Sequence, residues 1–179
     1  MVEIAKPKNY QIKSFGDRKK VEEEACEFVI PYFQKQYWDN FVDVRMNEEY
    51  FAEDIDFFVN GNSLELKANS KIIVNFLFEM KEELNGVRKD WNFLTSQAEY
   101  WLITDNEKKI GWLFKLKELR LKVLKIIKTP ELQGIKWKLY KLQDTGKSRR
   151  FYNVSVNRDY LISQLEYCKR IDFSVDFIS

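Results

Sequence analysis

Two short segments hold the side chains best suited to acid–base or metal chemistry: Asp54-Ile55-Asp56 and Glu65-Leu66-Lys67, on either side of Asn60-Gly61. Asn-Gly is a strong signal for a two-residue hairpin turn, because both central residues of a type I′ turn need positive φ. A turn closed there pairs Val59 with Asn62. Counting outward, Asp56 then faces Glu65 and Asp54 faces Lys67. Alternation sends Ile55, Phe57, Leu64 and Leu66 to the opposite, apolar face. Opposed like charges on neighbouring strands destabilise a sheet by up to about 1 kcal/mol, and a divalent cation between Asp56 and Glu65 removes that repulsion.

The chemistry such a face offers is metal-assisted hydrolysis. Mg²⁺ takes one or two carboxylates and keeps several waters, and the Leu66 backbone carbonyl is a natural third protein ligand. Lys67 beside a metal-bound water can orient it or favour its hydroxide form. The ion also steadies negative charge on a phosphodiester under attack. The tripeptide alone is not diagnostic, since Glu-x-Lys recurs at Glu79/Lys81 and Glu107/Lys109. A solvated hairpin face would also carry Asp54 opposite Lys67. Glu79 and Lys81 form a rival catalytic pair, on a stretch where Phe76 and Phe78 alternate with Asn75, Leu77 and Glu79; otherwise Glu79 serves as an auxiliary acid.

Composition narrows the chemistry further. The chain has no histidine, which excludes a Ser-His-Asp or Cys-His nucleophile and a His-ligated zinc site. Its two cysteines, Cys26 and Cys168, are far apart and cannot build a structural zinc site or a disulfide framework; a reducing cytoplasm suits them. A catalytic metal would therefore rest on carboxylates, carbonyls and water, which favours Mg²⁺ or Mn²⁺. Net charge is only +2, so any nucleic-acid surface must come from local clusters. No run of apolar residues is long enough to span a membrane, and the N-terminus lacks the apolar region of a secretory signal.

The elements that must position these residues read as one mixed α/β domain over residues 1–179, with a core at about 17–128 and a C-terminal hairpin and helix at about 130–179. Hydrophobic residues make up 45% of the chain, including 14 Phe, 9 Tyr and 5 Trp, enough to fill one sizeable core. Residues 1–16 read as an arm or loop. A helix follows from Asp17, with Val21, Glu24, Ala25 and Phe28 on one face, ended or kinked by Pro31. Strands are expected at 41–46 and from Ile72 to Met80, then a loop at Asn85-Gly86 and a helix over Lys89 to Ala98. Tyr100 to Thr104 reads as a buried strand, Ile110 to Leu116 as another, and Lys117 to Lys128 as a basic amphipathic helix. Ile135, Trp137 and Leu139 alternate and pair with Phe151 to Val156 across residues 144–147. A last helix is expected over Asp159 to Cys168.

Asp54-Ile55-Asp56, a short turn and Leu64-Glu65-Leu66-Lys67 together resemble the PD-(D/E)xK nuclease superfamily and its restriction-endonuclease-like fold. The likeness covers roughly Asp17 to Thr104. It implies a central mixed β-sheet flanked by helices, with Asp56, Glu65 and Lys67 catalytic and Asp56, Glu65 and Leu66 holding Mg²⁺. It also implies an acidic residue on the preceding helix, for which Glu24 is placed, and a strand, helix and strand after Lys67. The segment Leu94-Thr95-Ser96-Gln97-Ala98-Glu99-Tyr100-Trp101 is similar to phage and mobile-element members. No Pro precedes the first Asp, and which of Asp54 and Asp56 is primary stays open, with Asp56 favoured because it faces Glu65.

The substrate expected from this resemblance is DNA. Lys115, Lys117, Arg120, Lys122, Lys125 and Lys128 form a basic stretch, and Lys147, Arg149 and Arg150 cluster at a second turn; such side chains bind phosphates without reading bases. The expected activity is a Mg²⁺-dependent DNA endonuclease, structure-selective in the manner of a Holliday-junction resolvase, acting as a homodimer. The alternative is a non-catalytic nucleic-acid-binding or assembly protein that keeps the fold.

Overall fold

The computed structural model describes residues 15–72, 74–143 and 149–174; the expected N-terminal arm and the turn at 144–147 lie largely outside them. Helix α1 (Phe15–Tyr37) is followed by a 3-10 turn at Trp38–Asn40, strand β1 (Phe41–Asp43), the one-turn helix α2 (Glu48–Phe51) and strands β2 (Phe57–Val59) and β3 (Asn62–Asn69). Next come β4 (Asn75–Leu84), β5 (Val87–Asp90), β6 (Tyr100–Asp105), β7 (Ile110–Lys115) and helix α3 (Leu116–Ile127). The chain continues through β8 (Trp137–Gln143), β9 (Arg149–Asn157), α4 (Arg158–Ser163) and β10 (Cys168–Asp172).

The described strands form two sheets. One is mixed, with order β1-β2-β3-β6-β7-β10, and its one parallel pairing joins β3 to β6. The other is antiparallel, with order β5-β4-β9-β8. Alternation along β3 and β6 sorts two apolar clusters. Leu64, Leu66 and Leu102 face α1, where Ala25, Phe28, Val29 and Phe33 are buried with Phe57 and Phe173. Trp101 and Ile103 face the other way, with Trp112 and Phe114, toward Phe76, Phe78, Val154 and Val156 of the second sheet and Leu119, Val123 and Ile126 of α3. The Phe76 ring meets Trp112 and Phe114 edge-on at 5.4 and 5.5 Å. No described helix is long and apolar enough to cross a membrane.

The sequence expectations hold for β3, β6, β7, α3 and the β8–β9 pair, and in part for β2, which begins at Phe57 and leaves Asp54 and Asp56 outside the ladder; elsewhere the structure differs. Pro31 does not end helix α1, which runs on to Tyr37; proline removes one internal hydrogen bond, but Phe33 and Tyr37 beyond it stack on each other at 6.0 Å, and Phe33 on Phe41 at 6.2 Å. The strand at 41–46 stops at Asp43, and that at Ile72–Met80 begins at Asn75, extends to Leu84 and belongs to the second sheet. The helix expected over Lys89–Ala98 is absent. Asn85 and Gly86 both take positive φ, so β4 folds straight back into β5 as a hairpin, and residues 91–98 follow as turns. The strand–helix–strand order implied by the resemblance is thus strand–hairpin–turns–strand here. The last helix ends at Ser163, and Cys168–Asp172 instead adds β10 to the edge of β7.

Candidate active site

Asn60 and Gly61 have φ of 51° and 77°, and the turn closes as its residue types dictate: Val59 pairs with Asn62, Phe58 with Ser63 and Phe57 with Leu64. Beyond Phe57 the regular ladder ends. The Asp56 N–H bonds the Leu64 carbonyl at 3.0 Å, and the Val44 N–H bonds the Asp56 carbonyl at 3.0 Å. Asp56 also accepts a 2.6 Å hydrogen bond on Oδ2 from the Leu66 N–H. A side chain thus completes the strand where backbone pairing stops. Because N–H and C=O of one strand residue point to the same neighbour, the Leu66 carbonyl is directed to this same Asp56 side.

Counting outward therefore fails at the hairpin's open end. Asp54 is not a ladder partner of Lys67; it sits at φ 56° in the turn after α2, where the backbone bonds Asp54 N–H to Phe51 O and Ile55 N–H to Tyr50 O divert the chain. Ile55 joins the cluster on the other side of the sheet from Phe57, Leu64 and Leu66. Asp54, Asp56, Glu65, Leu66 and Lys67 nonetheless converge on one cleft of about 180 Å³, with Glu22, Arg45, Phe51 and Ile55 completing its walls.

Glu65 is 2% exposed. Its Oε1 is ion-paired with the Lys67 ammonium and accepts from Asn92 Nδ2 at 3.3 Å. Its Oε2 is buried and meets no donor in hydrogen-bond geometry, although the nearby Ser96 hydroxyl also favours its charge. Burial raises the Glu65 carboxyl above the ordinary carboxylate range against the pull of Lys67. Burial opposes charge on Lys67 too, but the Glu65 carboxylate prevails and holds its pKa above the usual lysine value. The Lys67 ammonium lies 5.1 Å from the centre of the Trp101 ring, a cation–π contact that suits a half-buried cation. Burial pushes Asp56 up to about 7, with Glu65 adding repulsion and the Leu66 N–H opposing. Asp54 is likewise raised by burial, with Lys67 and Arg120 opposing and Glu79 reinforcing.

The remaining candidates separate. Glu79 stands close enough to act electrostatically on Asp54 and Lys67, while Lys81 pairs with Asp90 at 3.5 Å on the surface; the register shift between them turns the two apart. Glu24 does not reach the cleft. It lines a separate cavity of about 470 Å³ with Glu27, Ser70, Asn106, Glu107 and Lys109, and Glu22, two residues earlier, is the α1 acid at the site. Arg120 is not a free phosphate contact: its Nε and Nη2 donate to the carbonyls of Phe93 and Ser96 at 2.6 and 2.5 Å. Arg150 is tied to Glu83 at 2.9 Å. Lys117 is exposed on α3; Lys147 and the Arg149 side chain lie outside the described residues.

Sequence reading missed Asn92, Ser96, Trp101, Arg45 and Phe51. Trp101 was readable in principle, since a parallel partner for Glu65 places an aromatic beside Lys67. Arg45 reaches the cleft with its guanidinium on Asp43 at 2.7 and 3.0 Å and on Cys26 Sγ at 2.7 Å, and nothing local marks that.

Asp56, Glu65 and the Leu66 carbonyl are a set of hard oxygen donors, and Oε2 of Glu65 is buried with no hydrogen-bond partner. The set fits Mg²⁺ or Mn²⁺ with water completing the shell. No family model matches this chain, nor does any curated protein or solved structure.

Proposed function

We propose that this chain is a metal-dependent DNA endonuclease that hydrolyses phosphodiester bonds at junction-like or otherwise distorted DNA, built on a restriction-endonuclease-like core. The observation that carries the reading is the convergence of Asp56, Glu65 and Lys67 on one cleft, with a buried carboxylate oxygen of Glu65 unpartnered. Burial raises three carboxyls of this cleft, Asp54, Asp56 and Glu65, beside the charged Lys67, and clefts with such shifted groups are where acid–base chemistry concentrates.

Asp56, Glu65 and the Leu66 carbonyl would hold the ion, with Glu79 and Asp54 as outlying acids. When bound, Mg²⁺ or Mn²⁺ supplies a water of lowered pKa and neutralises charge on the phosphate oxygens. The residues have separable tasks. The Leu66 N–H fixes the Asp56 carboxylate. Asn92 and Lys67 fix Oε1 of Glu65, while Oε2 stays buried without a hydrogen-bond donor of its own. Lys67 keeps its proton at neutral pH and donates it as a hydrogen bond to the attacking water or to a phosphate oxygen, the donor role that geometry and charge allow it. Arg120 positions the 93–96 turn that brings Ser96 to Glu65. A homodimer would let two such clefts cut two strands.

One observation favours the second reading, a nucleic-acid-binding or assembly protein without catalysis: among the described residues no three carboxylate, cysteine or histidine side chains form a metal-holding group. Cleavage of a four-way junction and of a linear duplex, each with Mg²⁺, Mn²⁺ or EDTA, separates the two. The nuclease reading expects divalent-dependent products, faster on the junction; no product from either DNA with either ion favours the binding protein.

A further inference from the structure

Phe51 is 77% exposed and forms part of the cleft wall beside Asp54 and Asp56. A large aromatic left in water next to half-buried carboxylates is not explained by packing. Its neighbour Tyr50 turns inward, its ring edge-on to Phe58 at 5.2 Å, and this anchors α2 so that Phe51 points out. The turn is stiff: Asn47 caps α2 by accepting from the Glu49 N–H at 3.1 Å, and the Gln97 N–H bonds the Glu53 carbonyl at 2.8 Å. Phe51 is thus held at a fixed offset from the acids through the hydrogen bond its own carbonyl accepts from Asp54.

The charges around it select the ligand. Glu48, Glu49 and Glu53 are exposed on this rim, whereas Arg45 and Lys67 line the cleft beyond it, so a phosphate is favoured inside the cleft and a run of phosphates along the Phe51 rim is not. The uncharged face of a nucleobase is not repelled there. Glu65, at 2% exposure, lies at the base of the cleft that Phe51 walls, and in intact duplex both faces of a base are covered by its neighbours, so a base can lie on Phe51 only where it has left the stack.

We propose that Phe51 is a stacking platform for a nucleobase, so that the cleft takes a locally unpaired DNA strand rather than intact duplex. The proposal rests on the nuclease reading and narrows its substrate to the unpaired arm of a junction, flap or frayed end. Base–aromatic stacking tolerates any base, and its loss weakens binding by roughly 5- to 100-fold per base.

The test is fluorescence anisotropy of a labelled single-stranded oligodeoxynucleotide and its blunt duplex, with Ca²⁺ replacing Mg²⁺ to withhold hydrolysis. The wild type is expected to bind the single strand at least about 10-fold more tightly, Phe51→Ala to lose that margin and Phe51→Trp to keep it. Equal binding of both DNAs by the wild type, or unchanged single-strand binding by Phe51→Ala, overturns the proposal. A parallel Mg²⁺ cleavage assay keeps the two readings distinct: absence of any product overturns the nuclease reading, while the anisotropy ratios decide the stacking role by themselves.

Discussion

The Asp56 carboxylate accepts a 2.6 Å hydrogen bond from the Leu66 backbone N–H, at the point where β2 stops pairing with β3. That single bond sets the site. It holds Asp56 against the strand that carries Glu65 and Lys67, and it substitutes for a ladder bond that the chain forgoes in turning from α2 into β2.

The raised Asp56 pKa makes stability depend on pH. An unfolded aspartate ionises near 3.8, whereas the folded one does so near 7. Between those values the native state keeps a proton that the unfolded chain releases, so stability falls as pH rises from about 4 to about 7 and levels off above. Glu65 is shifted in the same direction. Urea denaturation of the metal-free protein should show a decline on the order of 1–4 kcal/mol across that window, reduced in Asp56→Asn. A wild-type profile that rises with pH contradicts the assignment.

Divalent ions should reverse that loss. Mg²⁺ or Mn²⁺ at about ten times its Kd should stabilise the wild type by about 1.4 kcal/mol, a shift of roughly 3–6 °C in Tm for a chain of this size. Binding must displace the Asp56 proton, so the affinity should strengthen from pH 6 to pH 8. Glu65→Gln and Asp56→Asn should abolish the shift. Calorimetry that finds the same shift in both variants would place the ion elsewhere.

Glu65 and Lys67 should prove strongly coupled. Lys67→Met leaves a buried carboxylate without its cation and should cost about 3–5 kcal/mol. Adding Glu65→Gln removes that uncompensated charge, so the double variant should lose much less than the two single losses combined. Additive losses in a double-mutant cycle by urea denaturation would mean that the two groups do not share one buried pair.

Arg120 should behave as a structural residue. Arg120→Ala leaves the carbonyls of Phe93 and Ser96 without their donor and should cost about 1–3 kcal/mol. The salt dependence of DNA binding should be unchanged, whereas a true phosphate contact would lower the slope by about 1. Lys117→Ala, on the exposed face of α3, is the comparison.

The parts of this molecule readable from sequence are those fixed by local physics. Asn60-Gly61 closes its turn within a few residues, and the Val59–Asn62 register follows from it. The basic stripe of α3 and the apolar run of β6 are equally local. What was lost depends on distant pairing. Trp91, Leu94, Thr95 and Ala98 have helical spacing, yet β5 is claimed by β4 before that helix can start, and the turns that replace it bring Asn92 and Ser96 to Glu65. Cys168–Asp172 carries exposed Lys169 and Arg170 and becomes a strand through its pairing with β7. The choice of Glu22 over Glu24 was set by the phase at which Ala25, Phe28 and Val29 dock on the sheet, which no spacing within the helix reveals.

The most direct test is single-turnover cleavage of a four-way junction in Mg²⁺ by wild type, Lys67→Met, Glu65→Gln and Lys81→Ala, each verified as folded by circular dichroism. The account predicts that Lys67→Met and Glu65→Gln lose about 100-fold or more in rate, while Lys81→Ala, whose partner is the surface residue Asp90, stays near wild type. Loss of activity in Lys81→Ala with Lys67→Met unimpaired would contradict it and move the chemistry to the Glu79 strand.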